Sequence, residues 1–396
     1  MSKIRILALD GGGSRAVIPA RALGRLYGPQ TPGREIIREF DFVAGNSGGA
    51  IVLTALCCNY TPLEIEELYS DPAILRRMYS PKWVWWIPLL RSVLPRYSTR
   101  GKLEALKWVF DRKRQDGEPL PSSIPLSHWP RYLKKDVKLI LMAFDYDRER
   151  AVFFRSDTGS RAKSSTPPVE ATLIQAVHAS TNAPIRYFDE PAEVSDHRYW
   201  DGALSGYNNP VLAAVIEALA NRPAEAADIR VLSIGTGTSV RPSTKEGAAP
   251  PLGKAPDGTC PLAAVKKAAT VILDDPPDAA TFHAHVALRQ PVPAGSETFS
   301  EGALVRLCPL IRPIWELAES AWKLPGGLCA SEFEDLIEMD MDAMSERPLA
   351  LIRKMGDLWF ADSIRNQPIR MGLRFECNIG HEKFSEAAAH WKSIAA

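Results

Sequence analysis

Excess charge of either sign is missing from this 396-residue chain, in which 48 Lys plus Arg stand against 47 Asp plus Glu for a net charge of +1. Without a one-signed field, nothing global draws the molecule to a nucleic-acid polymer or an anionic bilayer, and any such contact has to be local. Long apolar runs are missing too. No stretch approaches the ~20 apolar residues that cross a bilayer, and the best attempt is interrupted by Pro88, Arg91 and Pro95. The apolar run Ile4 to Leu9 leads straight into glycines and is shorter than the ~7–15-residue core of a signal peptide, so export by that route is not expected. Cysteines in metal-ligand pairs are absent. Cys57, Cys58, Cys260, Cys308, Cys329 and Cys377 scatter along the chain, which predicts free thiols in a reducing, cytoplasmic setting. Glu66, Glu67, Asp145 and Asp147 lie in no calcium-loop pattern, so neither a metal nor another cofactor is expected.

What is present is globular: 45% apolar and 24% charged residues, close to the average for compact soluble proteins. Ile4 to Leu9 reads as a buried strand that feeds Asp10 and three glycines, then a helix from about Ala16. The same grammar recurs at Phe42-Val43-Ala44, followed by Gly45-Asn46-Ser47-Gly48-Gly49 and the apolar run Ala50 to Cys58. Two strand-turn-helix units favour a layered α/β fold. Val137 to Phe144, Ala151 to Arg155 and Arg230 to Ile234 read as further strands, and Val169 to Ala179 and Pro210 to Asn221 as helices. Thr238 to Pro261 is rich in Pro, Gly, Ser and Lys and reads as a long surface loop or lid. No internal repeat is visible, and the expectation is one domain over residues 1–396, its core motifs lying between residues 4 and 240.

Gly45-Asn46-Ser47-Gly48-Gly49 fits G-x-S-x-G, in which small neighbours let a strained strand-to-helix turn expose a serine. The start of the following helix offers N–H groups and a positive dipole end to an oxyanion. Asp10-Gly11-Gly12-Gly13-Ser14-Arg15 offers consecutive backbone N–H groups on a loop without Cβ atoms in the way. Gly11, Gly13 and Ala16 also satisfy G-x-G-x-x-A, so a nucleotide-binding module or oxidoreductase is a competing reading. That fingerprint needs an acid at the end of a second strand, and Glu35, at the right distance, lies in GREIIREF, which reads as helix. None of the seven histidines sits in a triad context. Asp201, in Tyr199-Trp200-Asp201-Gly202-Ala203, is the better general base, although Asp-Gly is also a common turn.

Together these motifs resemble the patatin-like phospholipase family, whose members pair a D-G-G-G-x-R-G loop, a G-x-S-x-G elbow and a D-G-A/G aspartate in this order. His178-Ala179-Ser180-Thr181-Asn182-Ala183-Pro184 is similar to the family's A-S-x-A-A-P segment, and Val231 to Gly237 to a buried strand of the family. Arg306-Leu307-Cys308-Pro309 and Met341-Asp342-Ala343 faintly resemble later segments. Ala16 departs from the family's usual glycine. The resemblance implies a three-layer α/β/α fold with a mostly parallel central sheet. It implies a Ser47–Asp201 dyad, an elbow of Gly45, Asn46, Gly48 and Gly49, and an oxyanion hole formed or supported by Gly11, Gly12, Gly13 and Arg15. The activity implied is phospholipase A-type hydrolysis of glycerophospholipid esters through an acyl-enzyme. Compact cytoplasmic relatives resemble antiphage defence effectors, which adds a cyclic dinucleotide as the expected activator.

Pro81 to Arg91 places Trp83, Trp85 and Trp86 among aliphatic and basic residues, a composition suited to the headgroup level of a membrane. Lys82, Arg91 and Arg96 are expected to add attraction to anionic lipid, which makes the protein peripheral at the membrane when active. The remaining alternative is a non-catalytic interaction protein on the same scaffold, against which the intact Ser47 and Asp201 stand.

Overall fold

The computed structural model describes residues 3–79, 94–157, 170–184, 187–221, 225–239, 277–316, 318–343, 345–370 and 377–396. Its centre is an eight-stranded mixed sheet. Strands β1 (Ile4–Leu9), β2 (Phe42–Gly45), β3 (Lys138–Asp145), β4 (Arg150–Arg155), β5 (Ala192–Val194), β6 (His197–Asp201) and β7 (Ile229–Ile234) are joined by a strand at Leu304–Leu307. The order is Leu304–Leu307, β7, β1, β2, β3, β6, β5, with β4 on β3. The first five are parallel neighbours and the pairs β3–β4, β3–β6 and β5–β6 are antiparallel.

Helices α1 (Val17–Tyr27), α2 (Gly33–Arg38), α3 (Ser47–Cys57), α4 (Pro62–Leu68), α5 (Pro72–Met78), α6 (Thr99–Asp111), α7 (Trp129–Leu133), α8 (Leu173–Ser180) and α9 (Val211–Asn221) follow in chain order. The continuous apolar runs of β1 from Ile6 onward and of β2 suit strands covered on both faces. Alternate residues divide between two cores. Leu7, Leu9, Val43 and Leu141 pack with α1, α3, α6 and α8, whereas Ile6, Ala8, Ala44 and Met142 pack with α9 and the helix Pro277–Ala287. The sheet is thus flanked by helices on both faces, the layering that the resemblance implied.

Strand register brings the motifs together. β4 pairs with β3 on one edge, while the other edge takes β2 first, ending with Gly45 opposite Leu141, and then β6, ending with Asp201 opposite Ala143. β2 and β6 run toward each other along that edge and meet at Met142. Neither can continue in the plane, so β2 turns out into α3 and β6 into the turn Gly202–Ser205. Two segments more than 150 residues apart therefore end side by side.

Some expected boundaries shift for local reasons. The helix expected from Val169 begins at Leu173, because Thr172 and Gln175 form a capping box that fixes its start. The helix expected from about Ala16 is preceded by a 3₁₀ turn, Gly13–Ala16. Of the loop expected over Thr238 to Pro261, Thr238–Ser239 pairs with Leu310–Ile311 and the remainder lies outside the described residues, as do Cys260 and Trp83, Trp85 and Trp86. Arg96 corrects one expectation. Rather than facing lipid, it is paired with Asp340 at 3.1 Å and Asp342 at 2.7 Å.

Candidate active site

Ser47 sits at the first position of α3 with φ 47°, a left-handed conformation that costs energy for any residue with a Cβ. The turn lifts its side chain clear of the sheet, and the residue stays partly exposed while its neighbours Asn46 and Gly48 are buried. Its own N–H donates to Ser180 Oγ at 3.1 Å. Gly45 is the last residue of β2, and Gly48 and Gly49 form the first helical turn, whose N–H groups have no acceptor within the helix. A Cβ on Gly48 would lie 2.6 Å from the Ala16 methyl. The alanine that departs from the usual glycine is thus accommodated against a second glycine.

Asp201, 2% exposed, faces this turn from the end of β6. Its Oδ1 accepts from Asn46 Nδ2 at 3.1 Å and from the Ala203 N–H at 2.9 Å. Burial pushes its carboxyl up from the usual range. Hydrogen bonds from Ala203, the Ser47 side chain and Asn46 oppose that shift, as does the charge of Lys102. The result is a carboxylate held in place by neutral donors and made more basic by its setting, which suits a general base.

The glycine loop lies across from Ser47. Gly11 is anchored at both ends of its peptide, its N–H donating to Asn208 O at 2.9 Å and its carbonyl accepting from Thr236 Oγ1 at 2.7 Å. The Gly12 and Gly13 N–H groups find no acceptor among the described residues. Gly13 has φ 54°, and a Cβ there would lie 2.2 Å from the Met341 carbonyl, so both its conformation and its space require glycine. That carbonyl accepts the Ser14 N–H at 2.8 Å. Arg15 turns its guanidinium to the Leu336 carbonyl, so its side chain ties the loop to the helix Ala330–Glu338.

Two cavities open on Ser47. One is apolar and lined by Ile51, Leu75, Met78, Val109 and Phe188. The other is more polar, with Gly12, Arg15, Asp201, Thr236 and Asp340 in its lining. Ser47 and Met341 border both. Met341 belongs to a strap held by Arg96 on Asp340 and Asp342, with the Tyr97 hydroxyl on Asp342 and the Tyr187 hydroxyl on Asp340.

Three contributors escaped the sequence reading. Asp10, buried below the glycine loop, takes both terminal nitrogens of Arg306, at 3.0 and 2.5 Å, and Arg306 also reaches Ser233 Oγ at 2.7 Å. The faint likeness at Arg306 was the only hint. Met341 carried a similar faint signal. Lys102 lies on the same helical stripe as Ala105, Leu106, Val109 and Phe110, all buried, and a lysine in an apolar stripe was its legible mark. The dinucleotide reading loses its acid, since Glu35 is exposed in the first turn of α2 rather than at a strand end. Among the described residues no helix is long and apolar enough to cross a membrane, and no three His, Cys, Asp or Glu side chains converge as metal ligands.

The patatin-like phospholipase family model matches residues 7–215. An intracellular phospholipase A2 of Caenorhabditis elegans is 25% identical over 253 residues, covering 61% of this chain but only 20% of that protein. The cUMP-AMP-activated phospholipase of Escherichia coli is 26% identical over 250 residues, covering 61% of this chain and 67% of that protein. Among solved structures, VipD from Legionella pneumophila aligns over 99% of this chain and 74% of its own, at 11% identity and a TM-score of 0.32. With more than half its length matched by the family model, and with the elbow, the aspartate and the glycine loop meeting at one place, the chain belongs to the patatin-like phospholipase family.

Proposed function

We propose that this protein is a serine acyl hydrolase that cleaves glycerophospholipid esters with Ser47 and Asp201. The observation that carries the reading is the junction at Ser47, where a strained, accessible serine, a buried carboxylate and two unpaired glycine amides meet between an apolar and a polar cavity. An amphipathic ester fits such a junction, its acyl chain in the apolar cavity and its glycerol and headgroup in the polar one.

Ser47 Oγ attacks the ester carbonyl while its proton passes to Asp201. The Gly12 and Gly13 N–H groups receive the oxyanion, and the intermediate collapses as Asp201 returns the proton to the departing alcohol. Water, deprotonated by Asp201, then releases the fatty acid from the acyl-enzyme. Gly11 and Arg15 act as supports, the first through Asn208 and Thr236 and the second through Leu336.

Control by a cyclic dinucleotide is a second element of the reading, favoured by the similarity to a phospholipase named for its activation by cUMP-AMP. Free fatty acid released from mixed phospholipid vesicles tests both, with wild type, Ser47→Ala and Asp201→Asn, each with and without cyclic dinucleotides. Release by wild type alone, lost in both variants, is expected. Release that survives either substitution contradicts the dyad, and folded wild type that releases nothing under any condition contradicts the activity.

A further inference from the structure

Lys102 is 1% exposed in the interior beside the site. Its Nζ lies 2.9 Å from the His178 carbonyl, 3.1 Å from Thr181 Oγ1 and 2.8 Å from Asn182 Oδ1. All three partners are acceptors. The Thr181 hydroxyl spends its hydrogen on the Val177 carbonyl at 2.8 Å. The Asn182 amide is oriented by its Nδ2, which donates to the Glu190 carbonyl at 2.8 Å, so its oxygen faces Lys102. An ammonium has three N–H donors to match three acceptors, whereas a neutral amine has two and would turn its lone pair on an oxygen. The Phe188 ring, its centroid 4.2 Å from Nζ, adds a face that attracts a cation.

The segment that Lys102 grips is the one that shapes the site. Ser180 Oγ accepts the Ser47 N–H, and the Asn182 carbonyl accepts the Asp201 N–H at 3.0 Å. We propose that Lys102 is a buried ammonium and the positioning residue of this site, clamping residues 178–182 against Ser47 and Asp201 and placing its positive charge on Asn182, the residue whose carbonyl holds the Asp201 N–H. This rests on the Ser47–Asp201 reading above.

The surrounding charges fit. Burial presses Lys102 toward the neutral amine, and Asp201 opposes it; the three acceptors decide for the charged form. From α8, His178 is driven neutral by burial and by the positive charges of Lys102 and Lys107. Asp189 is one turn away, its carboxylate on the Thr99 N–H at 2.8 Å. From α5, Arg76 and Arg77 are exposed, with Arg77 over the Trp108 ring. The turn Pro121–Ser123 brings no titratable side chain.

The test is the pH dependence of kcat for fatty-acid release by wild type, Lys102→Gln and Lys102→Met. Gln keeps an N–H donor without the charge, and Met keeps the length with neither. Activity requires ionised Asp201, so it falls on the acid side. Loss of a neighbouring cation should move that acid limb up by about one pH unit, a roughly tenfold lower rate on the acid side with recovery to within a few fold above it. An unmoved limb in the folded variants, whether the rate is unchanged or uniformly reduced, overturns the electrostatic role. Failure of the dyad itself is read separately, from full activity in Asp201→Asn. If neither variant folds, ¹⁵Nζ spectra of wild-type lysines decide. Among the described residues Lys102 is the only lysine in the buried class, so a protected NH₃⁺ signal at pH 7 is expected, and its absence overturns the proposal.

Discussion

Asp10 and Asp201 occupy matching places and meet opposite partners. Each stands at the end of a strand of the central sheet, each is 2% exposed, and each is followed by a glycine. Burial pushes both carboxyls up. Asp10 then meets both terminal nitrogens of a buried guanidinium, which does not shed its proton. Asp201 meets only neutral donors at hydrogen-bond distance, with Lys102 behind them. The first carboxylate is neutralised and serves as an anchor under the glycine loop; the second stays basic. What separates the anchor from the proposed base is the identity of the nearest donor, and the strand end and the burial are common to both.

That contrast breaks most sharply in activity. Ser47→Ala and Asp201→Asn should each lower kcat by about 10³-fold or more, measured as fatty-acid release, while Asp201→Asn leaves the protein folded. Asp10→Asn should act on stability first. It strands Arg306 without its partner and should cost about 3–5 kcal/mol in a denaturant titration, and Asp10→Asn combined with Arg306→Met should recover part of the loss. A smaller effect separates the carboxylates by pH. The folded-state pKa of Asp201 is raised above 3.8, so the stability this group contributes is fully present below 3.8 and lost as pH rises through the raised value. Asp201→Asn should therefore melt at or above the wild-type temperature at pH 7, with the gap closing as pH falls toward 4. Thr236→Val, which removes the hydrogen bond to Gly11, should cost about 1 kcal/mol and a modest part of kcat. Thr61→Ala opens the capping box of α4 and should cost about 1 kcal/mol with kcat unchanged, as a control remote from both carboxylates.

The chemistry was more legible than its support. Ser47 and Asp201 advertise themselves because a nucleophile elbow and an Asp-Gly strand end need fixed local residue types. The core strands were equally plain, since β1 and β2 are apolar on both faces. Arg306, Met341 and Lys102 act through contacts made across 296, 327 and about 80 positions of sequence, and no local pattern encodes which loop a side chain will meet. Arg96 shows the same limit in reverse. Its neighbourhood in sequence suggested a lipid-facing cation, and its partners, Asp340 and Asp342, come from the far end of the chain.

The most direct measurement is the site and rate of labelling by a fluorophosphonate, which phosphonylates an activated serine and needs no lipid surface. Intact-mass and peptide analysis should find one adduct, on Ser47, absent in Ser47→Ala and slowed by about 10²-fold or more in Asp201→Asn. Labelling at another residue, or a rate on Ser47 that Asp201→Asn leaves unchanged, would contradict the assignment of Asp201 as the base.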